Sequence, residues 1–370
     1  MNDARNEKNP LDKGASHRRR PRYSGTHPKR FDQRYKELDP AAYPEMQEHV
    51  RSQGRTPAGT HVPVLIEEVL AVLKPAEGEI VADCTLGFGG HAERFLERIG
   101  AAGRLVGLDL DGEQLERTGK RFGMSRGDEE DAAGSKRISL HHSHFAGLPK
   151  VLNQEQLDGC NVIFADLGVS SMQIDDPARG FSYKHDGPLD MRMDLRRPRT
   201  AADLLESMSV AELAKALQDL ADEPDAERIA ECIVRRRERN LITRTKQLVD
   251  VVFQAKQLSH RAWRQRPAEQ RNQLHPAALT FQALRMLVNE ETTGLEQFLR
   301  IVPHCLRPAG RVGVISFHSG EDRRVKHAFR DGLRAGVYSS ISEEPIQATP
   351  AEIASNPRSR PAKFRWAIAH

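Results

Sequence analysis

The sequence predicts a doubly wound, mostly parallel α/β sheet interrupted by an inserted helical domain, and three observations carry that expectation. Short apolar runs alternate with segments of helical periodicity, as in a sheet built from strand–helix–strand crossovers. A glycine-rich turn, Gly87-Phe-Gly89-Gly90, stands between one such run and a helical segment. Between the fourth and fifth strand candidates the strand signal stops, and apolar residues recur only at helical spacing.

Residues 1–58 are polar, poor in aliphatics and rich in Arg and Pro, with Arg18-Arg-Arg-Pro-Arg22, Lys29 and Arg30. Such a composition is not expected to build a core. The segment reads as a basic arm: either a solvated tail or a salt-sensitive tether to nucleic-acid phosphates. Order is expected from near His61. There Leu65, Val69, Val72 and Leu73 share a helical face, Pro63 suits a first turn, and Glu67 and Glu68 suit its positive end. Strand candidates are Glu79–Ala82, Arg104–Asp109, Ile138–His141, Val162–Ala165 and Arg311–Phe317, and Ala92–Ile99 reads as the helix after the glycine turn.

The expected helical insertion spans 180–275. It opens with capping boxes at Thr200-x-x-Asp203 and Ser209-x-x-Glu212. Leu213 and Leu217, then Ile229, Cys232 and Ile233, then Leu248, Val249 and Val252 follow at helical spacing. It also carries a second basic concentration, Arg235-Arg-Arg-Glu-Arg239 with Arg244 and Lys246. A run of this kind is ordinarily a solvated face, and it becomes a phosphate-binding surface only if the chain acts on nucleic acid. The resulting division is a basic arm over 1–58, a sheet domain over 59–179 and 276–370, and the insertion between.

Composition narrows the class further. Hydrophobic residues make up 38% of the chain, enough for a core, although the mean hydropathy of −0.61 signals much solvated sequence. A net charge of +4 and a pI near 8.9 only weakly favour an anionic partner. Cys84, Cys160, Cys232 and Cys305 are far apart with no CxxC spacing, which fits a reduced compartment and neither a disulfide framework nor a zinc site. No apolar run spans a bilayer, and the start has no signal-peptide core. Asp3, Glu7 and Asp12 argue against a transit peptide. The expectation is a cytoplasmic protein without a membrane partner, and a homodimer is compatible with everything in the sequence.

The glycine turn brings backbone close to a ligand and aims helix N–H groups at it. Through Ala92 it also spells Gly-x-Gly-x-x-Ala, so a dinucleotide is a genuine competitor. Asp109, ending the second strand, is placed to accept ribose hydroxyls, which any adenosine-containing ligand offers; the plain alternative is a tight turn with a surface acid. Two carboxylates favour S-adenosylmethionine. Asp83, just ahead of the glycines, is placed to order the loop or attract a cationic methionine group, and it would repel a pyrophosphate. Asp166 begins Asp166-Leu-Gly-Val-Ser-Ser171 at the carboxyl end of the fourth strand, the edge where open α/β sheets bind ligands.

From Asp166 onward the residues resemble one family. Asp166-Leu-Gly-Val-Ser-Ser171, Gln173, Asp175-Asp176, Arg179-Gly-Phe-Ser182 and Asp186-Gly-Pro-Leu-Asp-Met-Arg-Met-Asp194 look like the signature of the MraW family. Thr85-Leu-Gly-x-Gly-Gly-His91, Thr243-Arg-Thr-Lys246, His275-Pro276, Phe281-Gln-Ala-Leu-Arg285, Ser316-Phe-His-Ser319, Glu321-Asp-Arg323 and Asn356-Pro-Arg-Ser-Arg360 match as well. The resemblance runs from about residue 60 to the end and leaves the basic arm out. It implies a Rossmann-like class I methyltransferase sheet, S-adenosylmethionine as cofactor, and as substrate N4 of a cytidine in the decoding region of 16S rRNA of the small ribosomal subunit. It further implies cofactor contacts at Gly89, Gly90, His91, Asp109, Phe145, Asp166 and Gln173, to which the glycine turn itself adds Gly87. The chain departs from the family pattern at Leu220-Ala-Asp-Glu-Pro224, where an aromatic-Gly-Glu-Glu stretch is usual. It departs again at Ala277-Ala-Leu279, where Ala-Thr-Arg is usual, and at Gly320, which replaces an apolar residue.

A cytosine N4 amine is a weak nucleophile, because its lone pair is delocalised into the ring. Its methylation needs in-line placement and an acceptor for an N–H. Asp166 is the expected acceptor, with Asp190 in reserve. A C5-cytosine mechanism would need a cysteine nucleophile, and none of the four lies in a suitable loop beside a proline. His141, His142 and His144 suggest a metal only superficially, since neighbouring strand residues face opposite sides and no carboxylate cluster accompanies them. No metal is expected. The rivals are an NAD(P)-linked oxidoreductase on a similar sheet, and a non-catalytic RNA-binding assembly factor with a vestigial pocket.

Overall fold

A computed structural model describes residues 63–124, 137–267, 270 and 273–370; the basic arm and the expected start near His61 lie outside them. Five parallel strands form the body of one sheet: β1 (Ile80–Asp83), β2 (Arg104–Asp109), β3 (Ile138–His142), β4 (Cys160–Asp166) and β5 (Leu306–Ser316). Their order is β3-β2-β1-β4-β5, so the chain winds outward from β1 in both directions. Period-2 alternation builds two cores at once. Ala82, Val106, Ile163 and Val312 face one layer, whereas Val81, Leu105, Val162 and Phe164 face the other.

The second layer is covered by α1 (Ile66–Leu73) and α2 (Gly90–Ile99), which bury Val69, Leu73, Phe95 and Ile99. In α1 Leu70 is buried beside the expected Leu65, Val69 and Leu73, and Val72 packs partly buried against the same cluster. Leu65 adopts a left-handed conformation (φ 56°) at the helix start. The first layer is covered by α4 (Leu148–Gln154), α12 (Glu291–Ile301) and α13 (Ser319–Arg334), through Leu148, Phe298 and Phe329. Helix α3 (Gly112–Arg121) packs beside β2 and β3.

Between β4 and β5 the chain forms α5 (Ser171–Asp175), α6 (Ala201–Ser207), α7 (Val210–Ala221), α8 (Ala226–Arg237), α9 (Thr245–Ala255), α10 (His260–Arg264) and α11 (Ala278–Asn289). Both capping boxes form as spelled, with Thr200 and Ser209 accepting from the backbone of Asp203 and Glu212. A third apolar cluster runs from Phe181 through Leu213, Ile229 and Leu248 and takes in Ala277, Phe281, Leu284 and Val288. The packing of the helical unit therefore continues past residue 275. Glu290, left-handed at φ 53°, then turns the chain from α11 into α12, so these two consecutive helices tie the helical unit to the sheet.

The Asp186–Asp194 string is a strap between the two units. Its Gly187 N–H donates to the Thr245 hydroxyl (3.0 Å), and Leu189 N–H donates to Thr243 (2.8 Å). A side chain at Gly187 would meet the Pro177 carbonyl oxygen at 1.8 Å, and one at Gly180 (φ 72°) would meet that of Pro188 at 2.2 Å. Asn289 fixes the far end, donating to Met191 O and accepting from Met193 N–H.

Three strands went unread in the sequence. β8 (Lys363–Ala369) pairs antiparallel with β5, and β6 (Tyr338–Ile341) and β7 (Ile346–Gln347) pair antiparallel with β8. The reason lies in Arg365, a cation in the middle of β8 that is only 2% exposed. Its Nε donates to Asp322 Oδ1 of α13 at 2.6 Å and its Nη1 to Glu343 O at 3.1 Å. A strand whose inward side chain is charged does not look amphipathic. The start of β5, with Pro308-Ala-Gly310 and Ala309 at φ 57°, likewise reads as a turn. Among the described residues no helix is long and apolar enough to cross a membrane.

Asp322→Ala would leave Arg365 buried without its carboxylate, so we expect a loss of about 3–5 kcal/mol. A urea unfolding midpoint unchanged by the substitution would show the pair to be dispensable.

Candidate functional site

The carboxyl ends of β1, β2 and β4 open into a cavity of about 220 Å³, walled on its far side by α11, α12 and the start of α13. Its first wall is the glycine loop. Leu86 N–H donates to Leu108 O (2.8 Å), and Thr85 Oγ1 accepts the Asp166 N–H (2.6 Å), so the loop is stitched to both neighbouring strands. Gly87 (φ 51°) donates its N–H to Asp109 Oδ2 at 2.6 Å, and Asp111 N–H reaches Asp109 Oδ1 at 2.7 Å. Burial pushes the Asp109 carboxyl up to about 6, and those two N–H groups work against the rise.

The glycines differ in purpose. Gly87 and Gly90 line the cavity, whereas Gly89 does not. At φ 74°, a Cβ on Gly89 would lie 2.6 Å from the Phe122 ring and 2.9 Å from Thr118, so Gly89 answers to packing against α3. Asp83, 1% exposed, also stays out of the cavity. Its Oδ1 accepts the Thr85 N–H (3.1 Å), and burial pushes the carboxyl up to about 7. Of its two expected roles, the geometry provides loop ordering.

Phe145 lines the cavity from a single helical turn after β3, its ring edge-on to Phe298 (5.4 Å) and against His144 (3.9 Å). Gln173 also lines it, but its carboxamide is committed to protein. Nε2 donates to Asp111 Oδ2 (2.8 Å) and Oε1 accepts the Ser170 N–H (3.0 Å). Asp111 in turn caps α3 and pairs with Arg179 at 2.8 Å. Gln173 therefore shapes the wall through this network.

At the opposite end stands Asp166. Its Oδ2 is 3.9 Å from His91 Nδ1, and its buried Oδ1 has no hydrogen-bond partner among the described residues. Burial pushes this carboxyl well above the usual carboxylate range, and the acids Asp83 and Glu321 push it further. His91 is held by Nε2 against Val64 O (3.0 Å) and packs on Phe164.

Glu321 and His318 share this end, and their part in the cavity was not readable from their motif strings. Glu321 accepts the Phe317 N–H (2.9 Å) and lies 3.0 Å from His318 Nε2. Burial opposes its charge, but His318, that N–H and Arg285 hold the carboxyl below its ordinary value. Glu291 meets Arg285 through two 2.8 Å hydrogen bonds.

Asp190 is elsewhere. It does not line the cavity, and both its oxygens are engaged by Arg192 at 2.8 Å, so the structure separates it from Asp166. The three histidines of β3 and its following turn also part company. His141 pairs with Glu155 (2.8 Å), His142 Nε2 lies 3.0 Å from Leu110 O, and His144 caps the next turn. Among the described residues no three potential metal ligands gather.

The cavity suits a methyl donor built on adenosine. Asp109 keeps free lone pairs at the glycine loop, Phe145 offers a ring face, and Asp166 leaves one buried oxygen to which no described protein group donates. Asp109→Ala should therefore lose charge-assisted hydrogen bonds of about 1.5–3 kcal/mol, roughly 10- to 150-fold in S-adenosylmethionine affinity by calorimetry. Normal binding would show the acid to serve the loop alone.

The MraW methylase family profile matches residues 58–369. The chain is 38% identical over 355 residues to "Ribosomal RNA small subunit methyltransferase H 1" of Agathobacter rectalis, covering 95% of this chain and 97% of that protein. It is 39% identical over 354 residues to the protein of the same name from Lachnoclostridium phytofermentans (95% and 93% covered). It is also 41% identical over 309 residues to "Ribosomal RNA small subunit methyltransferase H" of Koribacter versatilis (83% and 93% covered). The match spans the sheet, the helical unit and the strap alike, and the chain belongs to the MraW methylase family, with S-adenosylmethionine as its cofactor.

Proposed function

We propose that this protein methylates 16S rRNA of the small ribosomal subunit in the cytoplasm, at N4 of a cytidine in the decoding region. The observation that carries the reading is the buried, unpartnered Asp166 oxygen at the carboxyl edge of β4, in a chain whose relatives bear the name of a small-subunit rRNA methyltransferase. Bound S-adenosylmethionine supplies a methyl group made electrophilic by its sulfonium. Asp109 and the glycine loop hold the nucleoside portion, and Phe145 offers the adenine a ring to lie on. Asp166 then receives an N–H of the amine, drawing electron density onto nitrogen as it attacks. A carboxyl with raised proton affinity is a stronger acceptor than an ordinary surface acid, provided it is ionised when the amine arrives. His91 and the His318–Glu321 pair stay beside it as fixed neighbours.

The target base must leave its stack to reach this depth. Met193 from the strap and Met286 from α11 give the cavity an apolar wall against which a base can slide. Arg235, Arg236 and Arg239 are exposed on and just after α8 and suit rRNA phosphates. Arg237, in the same run, differs: its Nη1 donates to Leu205 O and Met208 O at 2.6 and 2.5 Å, fastening α8 to the end of α6.

Incubating the full chain with small subunits, or their rRNA, and methyl-labelled cofactor should yield one N4-methylcytidine on nucleoside analysis. Label in another nucleoside, or none, overturns the reading. For Asp166, the accepting ionised form is lost as pH falls through a value raised above the carboxylate range. The rate should therefore drop on acidification before ordinary acids titrate. Asp166→Asn should remove that arm and lower kcat by about 10²- to 10⁴-fold, with a much smaller effect on cofactor affinity. A variant that keeps both rate and pH arm would exclude Asp166 as the acceptor.

A further inference from the structure

A second cavity, of about 270 Å³, opens beside the first, and the two share Met286, His318 and Arg324 as a common wall. Leu220 from α7 and Leu279 from α11 supply apolar surface, Gln282 a carboxamide, and Gly320 and Arg323 of α13 the remaining side. Apolar wall, amide and cation can receive the three parts of a nucleotide: a flat base, its polar edge and a phosphate.

The polar groups here are unequally committed. Arg324 is pinned in the dividing wall, Nε on Glu296 (2.9 Å) and Nη1 on Gly320 O (3.0 Å). Arg323 is exposed and makes no side-chain hydrogen bond or ion pair among the described residues. Gln282 reaches only the Met286 sulfur, at 3.9 Å, which is a weak acceptor. Asp219 is neutralised by Lys215 (2.6 Å), which leaves Asp222 as the unpaired acid on the rim and favours the Arg323 side for a phosphate.

Gly320 lies in the first turn of α13, and its backbone does not adopt a positive φ. Nothing in the backbone asks for glycine there, and helix propensity would favour alanine by about 1 kcal/mol. A Cβ would lie 3.2 Å from His318 Nδ1 and 3.3 Å from its Cε1, so even alanine would press the His318 ring, and a longer side chain would also occupy the cavity. Each of the three departures from the family pattern, 220–224, 277–279 and Gly320, thus sends at least one residue to this space: Leu220, Leu279 and Gly320.

We infer that this second cavity seats the nucleotide adjacent to the methyl-accepting base, with the base against Leu220 and Leu279 and the phosphate at Arg323, and that Gly320 is the specificity-determining residue that keeps the space open. The inference rests on the rRNA-methylation reading. A base extruded toward Asp166 pulls its neighbour along, and the contiguous cavity across the Met286–His318 wall is where that neighbour arrives.

Two substitutions fill the space from opposite walls in the full chain: Gly320→Leu and Leu279→Phe. Each should leave S-adenosylmethionine affinity within about twofold, which also reports an intact fold, while kcat/KM for small-subunit rRNA falls about ten- to hundredfold. Arg323→Ala, at an exposed unpaired side chain, should raise KM and flatten the salt dependence of RNA binding by about one unit of slope. If both filled variants keep wild-type kcat/KM while the wild-type protein methylates rRNA, the cavity assignment falls and the proposed function stands. If the wild type transfers no methyl group to small-subunit rRNA, both fall. Should Gly320→Leu lose cofactor binding, Leu279→Phe and Arg323→Ala decide the question.

Discussion

The half-buried carboxylate of Asp109 takes one N–H from Gly87 and one from Asp111, and much of the site hangs from that pair of bonds. The first bond holds the glycine loop against the end of β2. The second sets the position of Asp111, which caps α3, receives Gln173 and pairs with Arg179. Arg179 then donates to the carbonyls of Arg192 and Met193, in the strap that joins sheet to helical unit. A ligand-facing acid is thereby coupled, through buried polar contacts, to the element that delivers Met193 to the opposite wall. Removing one partner from such a chain costs more than the lost bond contributed, because it leaves a polar group unpaired in a low-dielectric setting.

The acids in and beside the cavity show how environment divides one chemical group into several roles. Glu321 is nearly inaccessible yet held low by His318 and a backbone N–H, and Glu291 has Arg285 on both oxygens. Asp83 orders its own loop. Asp166 alone of these lines the cavity with a buried oxygen to which no protein group donates, and the neighbouring carboxylates raise its proton affinity. Carboxyl groups in and beside one cavity thus end as structural anion, ion-pair partner and available acceptor.

The helical unit is joined to the sheet twice over, by the Asp186–Asp194 strap and by the turn at Glu290 between α11 and α12. Both cavities lie at this junction, with α11 contributing Met286 to each. Placing the pockets there lets one layer bind the cofactor while the other presents cations, without either unit sacrificing its own apolar core.

Much was legible in the sequence because it depends on near neighbours. The capping boxes at Thr200 and Ser209, the limits of β2 and the glycine turn are decided by hydrogen bonds and periodicity within a few residues. The family signature was legible too, and it marked the Asp186–Asp194 strap. What the strap does became clear only from its contacts: Gly180 and Gly187 make room for carbonyls, and Asp190 serves Arg192 rather than the cavity. Tertiary structure alone decided β8, whose central Arg365 finds its carboxylate 43 residues away in Asp322. It alone separated Gly89 from Gly87, since Phe122 and Thr118 crowd the first and not the second. It alone brought Glu321 and His318 to Asp166. The sequence by itself determined the five parallel strands, the capped helices and, through the family signature, the cofactor class; long-range pairing of charge and volume, which no local pattern records, decided which acids are spoken for and which one is left open.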